Sequence, residues 1–227
     1  MTKFNRLIIA ASMLCLPGIS QAASTVNDTF DAGLGGWHQN TTDTNVNHQA
    51  AGGNPGGYLQ TDNFGGTSGF NVIGAQNTSA DYSGVFADGL WTIEVDLNFI
   101  RGDFEDAWLR FRYQDSTANG WHISIEDSIF DNAWTSYSIT FDTTWDDATA
   151  MANGWVKEAD GATATPSFSG LWDDVWNSEV RILGGGQLDM IAGIDNYKTT
   201  FVPVPAAAWL FVSGLLGLIG VSRRRKV

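Results

Sequence analysis

Cysteine is almost missing. The only one, Cys15, lies inside an apolar stretch near the start of the chain, Leu7 to Leu16. Once that stretch is removed no thiol remains, which excludes a disulfide framework, a zinc–thiolate site and a cysteine nucleophile. A lipid-modified cysteine is also excluded, because Leu14 stands where such a signal needs a small residue. The body must therefore be held by its own core, and it is long enough to build one. Cations are scarce too. Of twelve Lys and Arg residues, six crowd the ends: Lys3, Arg6, Arg223, Arg224, Arg225 and Lys226. All twenty-five Asp and Glu residues lie between, so the body sets six cations against twenty-five carboxylates, a net charge of −19. That balance disfavours nucleic acid and anionic membrane surfaces. It keeps a protein soluble and offers oxygen ligands to divalent cations.

Signs of catalysis are equally thin. His38, His48 and His122 are the only histidines, and none has metal-ligand spacing. No Gly-x-Ser-x-Gly elbow occurs. Glu94 and Glu126 are of the type a glycosidase pairs across its substrate, but the alternation around Glu94 turns it to the surface. The chain is read as a non-enzyme. A glycoside-active enzyme on the same fold and a purely structural biofilm protein are the alternatives.

What is present begins with a leader. Lys3 and Arg6 precede the apolar run, Pro17 and Gly18 break it, and Ser20-Gln21-Ala22 has small residues where signal peptidase reads. Residues 1–22 are predicted to be a secretory signal helix cut before Ala23. No internal repeat or long linker follows, so residues 23–200 are expected to be one domain.

That body alternates. Trp91, Ile93, Val95, Leu97 and Phe99 share one parity, with Glu94, Asp96 and Asn98 on the other. Leu109, Phe111 and Tyr113 alternate with Arg110 and Arg112. Trp121, Ile123 and Ile125 repeat the pattern, as do Tyr137, Ile139 and Phe141, and Val180 and Ile182 flank Arg181. Period two marks strands with one buried and one wet face, and several of them predict an all-β antiparallel sandwich. In SGLWDDVWNSEV, Leu171, Trp172, Val175 and Trp176 fall at helical spacing, which predicts one short surface helix.

The end of the chain differs in kind. Residues 206–222 are predicted to be a transmembrane helix of near-minimal length. Arg223, Arg224, Arg225 and Lys226 act as a cytoplasmic stop, which leaves the acidic body outside the inner membrane. Val202-Pro203-Val204-Pro205 before it is rigid and extended, and open to a protease at the outer interface. A Pro-x-Pro motif, an apolar helix containing Gly-Leu-Leu-Gly-Leu and a terminal arginine cluster together resemble the PEP-CTERM sorting signal, here spanning 201–227. In that family exosortase, a membrane transpeptidase of Gram-negative bacteria that make exopolysaccharide, reads the signal and cuts near the proline motif. The resemblance implies an inner-membrane anchor held briefly and then release to the cell surface or extracellular matrix. Val204 departs from the family, which usually has Glu there.

The body carries a second resemblance. NDTFDAGLGGW, Asn27 to Trp37, and AGIDNYKTT, Ala192 to Thr200, are similar to the opening and closing strands of jelly-roll carbohydrate-binding modules and laminin-B-like domains. The resemblance implies a jelly roll and a possible structural Ca2+ with Asp31 and Asp195 as carboxylate ligands, and Asn27 and Asp28 as further candidates. It also implies binding of extracellular polysaccharide. Ten tryptophans are present, and sugar rings stack on aromatic planes. Trp145 and Trp155, in a Gly- and Asp-rich region, are the expected stacking residues. Trp91, Trp108, Trp121 and Trp134 are assigned to the core.

Overall fold

Every segment of period-two alternation forms a strand. In the computed structural model residues 24–64, 71–114, 119–126, 131–158, 164–185 and 189–202 are described, all within the compact unit Ala23–Pro203. The signal helix, Pro203, Val204, Pro205, the 206–222 span and Arg223 to Lys226 lie outside the described residues. Among the described residues no helix is long and apolar enough to cross a membrane.

The strands are β1 (Thr25–Asp28), β2 (His38–Gln39), β3 (Asn45–Gly53), β4 (Gly56–Asp62), β5 (Val72–Asn77) and β6 (Leu90–Arg101). There follow β7 (Phe104–Tyr113), β8 (Gly120–Glu126), β9 (Trp134–Asp142), β10 (Trp155–Lys157), β11 (Val175–Gly184) and β12 (Ile191–Val202). The first sheet runs β3-β4-β12-β6-β9, with β1 beside the second half of β12. The second runs β10-β8-β7-β11-β5-β2. All pairings are antiparallel, and the two sheets form a jelly-roll β-sandwich.

The core lies between the sheets. Ile93, Val95, Leu97 and Phe99 from β6 face Leu109 and Phe111 from β7, Trp121 from β8, and Val180 and Ile182 from β11, all buried. Phe201 is also buried, so β12 carries the core past residue 200 and ends on exposed Val202. Aromatic rings gather at two places. Trp37, Tyr82 and Tyr197 meet with centroids 4.7–5.6 Å apart. Phe111, Phe141, Trp155, Phe168 and Trp172 form the larger group. Each such ring removes a large apolar area from water, the main source of stability in a domain without crosslinks.

Two expectations change here. Trp155 is buried rather than offered to a sugar, because β10 pairs with β8 and turns its ring against Phe141 and Phe168. Trp145 is half-buried at the edge of the core, with its ring 6.2 Å from that of Phe168 and the remainder exposed. The predicted surface helix is a single turn, α2 (Phe168–Leu171), which buries Phe168 and Leu171, leaves Ser169 exposed and is capped by Ser167, whose hydroxyl accepts from the Gly170 amide. Trp172 follows it into the core, while Val175 and Trp176 open β11. A second helix, α1 (Asp147–Ala152), was not expected. Asp146 caps it, accepting from the Thr149 amide at 2.8 Å.

Candidate functional site

Register fixes what the outward parity of the second sheet presents. One row crosses all six strands: Val156 on β10, His122 on β8, Arg110 on β7, Glu179 on β11, Gln76 on β5 and His38 on β2. The adjacent row holds Ser124, Trp108, Arg181 and Gly74, and Asn177 lies opposite Arg112. Three of the six cations of the body thus stand on one sheet face.

They converge on buried carboxylates. Glu179 is fully buried. Its Oε2 accepts from Arg110 Nη1 and Arg112 Nη2, both at 3.1 Å, and its Oε1 accepts from Asn40 Nδ2 at 2.9 Å. Arg181 Nη1 stands 3.6 Å from the same Oε1. Glu158 accepts from Arg110 Nε at 2.8 Å and Nη2 at 2.6 Å, and from His122 Nδ1 at 2.9 Å. Burial works against the Glu158 charge, but the hydrogen bonds from His122 and Arg110 outweigh it and hold its carboxyl at about 2. Burial also works against the Arg110 charge, and Glu158 and Glu179 again outweigh it, so that guanidinium is held above its ordinary value. Burial lowers Arg112 and Arg181.

An aromatic surface borders this lattice. The His122 ring stacks on Trp108 with centroids 4.0 Å apart and planes 10° from parallel. Trp108 Nε1 donates to Asp106, which also accepts from Ser124 at 2.6 Å. Arg112 sits over the Trp176 ring at 5.7 Å. Along the row, Asn177 Nδ2 donates to Gln76 Oε1 at 2.6 Å. Among the described residues, two buried acceptors, Asn40 Oδ1 and Asn177 Oδ1, and one donor, Arg181 Nε, have no hydrogen-bond partner. Such groups carry a desolvation penalty that an enclosed water relieves.

The lattice was missed in the sequence, where Trp108 was assigned to the core and His122 was noted only for lacking metal-ligand spacing. The signal was there in part. Trp108, Arg110 and Arg112 share one parity, as do Glu179 and Arg181, and cations are otherwise rare.

The four residues expected around calcium do not meet as a set. Asp28 is committed elsewhere, since its Oδ2 accepts from Trp37 Nε1 at 2.6 Å and from Tyr82 OH at 2.8 Å. Asn27 is exposed on β1, opposite Lys198. Asp31 and Asp195 do approach one place, the turn between β3 and β4. Asp31 Oδ1 accepts from the Gly57 amide at 3.0 Å, and Asp195 Oδ2 from the Asn54 amide at 2.6 Å. A Cβ on Gly53 would lie 2.2 Å from the Gly57 carbonyl and 2.7 Å from Asp195 Oδ2. One on Gly57 would lie 2.7 Å from the Phe30 carbonyl and 3.0 Å from that of Gln49. The glycines thus leave a small cradle walled by oxygens, a donor set that suits a hard cation. His48 Nε2, 2.7 Å from the Phe30 carbonyl, also borders it. Burial raises the Asp195 carboxyl, and Asp96 and Asp31 add to that rise against two backbone hydrogen bonds. Among the described residues no three His, Cys, Asp or Glu side chains converge as a metal group, so a cation there must draw on carbonyls.

No family model matches the chain, and no curated protein matches it. Solved structures do. The CBM22-1 xylan-binding domain of Paenibacillus barcinonensis Xyn10C aligns with 82% of this chain and 99% of its own, at 12% identity and a TM-score of 0.51. The family 11 carbohydrate-binding module of the cellulosomal cellulase Lic26A-Cel5E of Clostridium thermocellum aligns with 81% of this chain and 97% of its own, at 14% identity and 0.50. An exo-β-agarase aligns with 80% of this chain and a quarter (25%) of its own, at 13% identity and 0.52. At such identities the likeness is one of fold.

Proposed function

We propose that this protein is an exported, non-catalytic polysaccharide-binding sandwich, and that the outer face of its second sheet is the binding surface. One observation carries the reading: a dehydrated Arg–Glu–Asn lattice borders the Trp108–His122 stack on a single sheet face. An indole takes the apolar face of a pyranose, while the partly exposed Arg181, His122 and Ser124 around it take its hydroxyls. The fold shared with carbohydrate-binding modules supports this reading. Glu158, held ionised by His122 and Arg110, is unfit as a general acid.

The test is retention of the protein by xylan, mixed-linkage β-glucan and agarose in affinity electrophoresis. Trp108→Ala is expected to weaken retention about tenfold, the worth of one aromatic contact. Retention unchanged by Trp108→Ala on all three polymers would overturn the assignment of this face.

The oxygen cradle between Asp31 and Asp195 is proposed to hold a structural Ca2+ that ties β12 to the β3–β4 turn. Added Ca2+ then raises the melting temperature and a chelator lowers it, with the response abolished in Asp195→Asn. The terminal segments are proposed to act as a secretory leader and a PEP-CTERM signal, delivering the body by way of signal peptidase and exosortase to the cell surface or matrix. Intact mass of the extracellular protein tests this: a chain beginning at Ala23 and ending near Pro205 is expected, and an intact Arg223–Lys226 end would refute it.

A further inference from the structure

The outer face of the first sheet contains an aromatic platform that the reading above does not use. Trp134 opens β9 opposite Asn98 on β6, and the next position across the sheet, on β12, is Gly193. The absence of a side chain there lets the indole lie down over the sheet. A Cβ on Gly193 would stand 2.7 Å from the far edge of the Trp134 ring and 3.1 Å from the Tyr58 ring. Tyr58, on β4, meets Trp134 edge-on with centroids 5.4 Å apart. Trp134 Nε1 donates to the Gly52 carbonyl at 2.9 Å, which pins the ring from the β3 side. The indole therefore spans three strands and stays partly exposed, and the buried Asn98 Oδ1 has no hydrogen-bond partner among the described residues.

A polar groove lies on the same face. Asn27, Glu94, Asp96, Ser136, Ser138 and Lys198 line a depression of ≈ 270 Å³. Ser136 follows Trp134 by two residues, and Asp96 precedes Asn98 by two, so groove and platform occupy neighbouring rows about 7 Å apart. The charges select the occupant. Lys198 is bonded to Glu94, and Asp96 accepts from Asn54 and Asn196, which leaves the groove net negative. An anionic chain is repelled, whereas hydroxyls find amide donors and carboxylate and serine acceptors.

We infer that the outer face of the first sheet is a second carbohydrate-binding surface, for a neutral polysaccharide stacked on Trp134. It stands independently of the Trp108 face. With both occupied, one molecule engages two chains from opposite sides.

The full-length protein is tested against soluble mixed-linkage β-glucan, arabinoxylan and agarose, each in affinity electrophoresis. Trp134→Ala and Gly193→Ala are expected to weaken binding of at least one of them about tenfold. Gly193→Ala leaves the indole in the chain but lifts it off the sheet. Trp134→Phe keeps a ring and is expected to hold affinity within about threefold, which separates a lost platform from a lost fold. If Trp134→Ala and Gly193→Ala bind all three glycans as the parent does, or if the parent binds none, this second surface is refuted. Loss of binding in Trp134→Ala with no effect of Trp108→Ala retains this inference and removes the earlier one. The reverse pattern removes this one alone.

Discussion

The two sheets turn opposite kinds of polar surface outward. On the first sheet, charged pairs such as Lys198–Glu94 sit in reach of solvent, with about two fifths of each side chain exposed (38% and 44%). On the second, Arg110 and Glu179 expose 5% and none of their side chains. Alternation along the strands is the same in both. The difference teaches that parity says which way a side chain points but not whether water reaches it. An ion pair in water contributes little, whereas a buried one must be complete to be tolerated at all.

Breaking the buried lattice should have the largest effect. Glu179→Ala strands Arg110, Arg112 and Arg181 without their shared counter-charge and is expected to destabilise the fold by about 3–5 kcal/mol, read from urea denaturation. Acid should act next. The folded carboxyl of Glu158 lies near 2 against 4.5 for the free group, so its stabilisation is complete above pH ~4.5. It fades as pH falls toward 2, by about 3 kcal/mol in all. Glu158→Gln should flatten that part of the stability–pH curve. Smallest is the exposed pair: Glu94→Ala should cost less than about 1 kcal/mol, and salt should erase the difference. If Glu94→Ala and Glu179→Ala proved equally costly, the contrast between the faces would be wrong.

Much of the sandwich was legible in the chain. Ile93 to Phe99, Leu109 to Phe111 and Val180 to Ile182 declare their inward parity, because a half-buried strand repeats every two residues. The helix at Leu171 was misjudged in length because Val175 and Trp176 fit both a helical stripe and the start of a strand. Trp155 was misread because local composition marks a loop, while pairing with β8 is a long-range fact. The lattice was hidden for the same reason. Arg110 finds Glu158 forty-eight residues later and Glu179 sixty-nine residues later, and no local pattern reports such a meeting. Asp31 and Asp195 were linked in the sequence only through a family likeness, and their approach to the glycines of the β3–β4 turn shows only in three dimensions.

The pairing of β1 with the end of β12 has a mechanical consequence. Thr25 lies beside Thr200, and the Phe201 amide donates to the Ser24 carbonyl, so the body's first and last strands part at one corner. Tension applied between those strand ends would peel β1 away one hydrogen bond at a time, the weak direction. A molecule tethered only through β12 and loaded through a sheet face would instead share the pull along the whole length of β6, the strong direction.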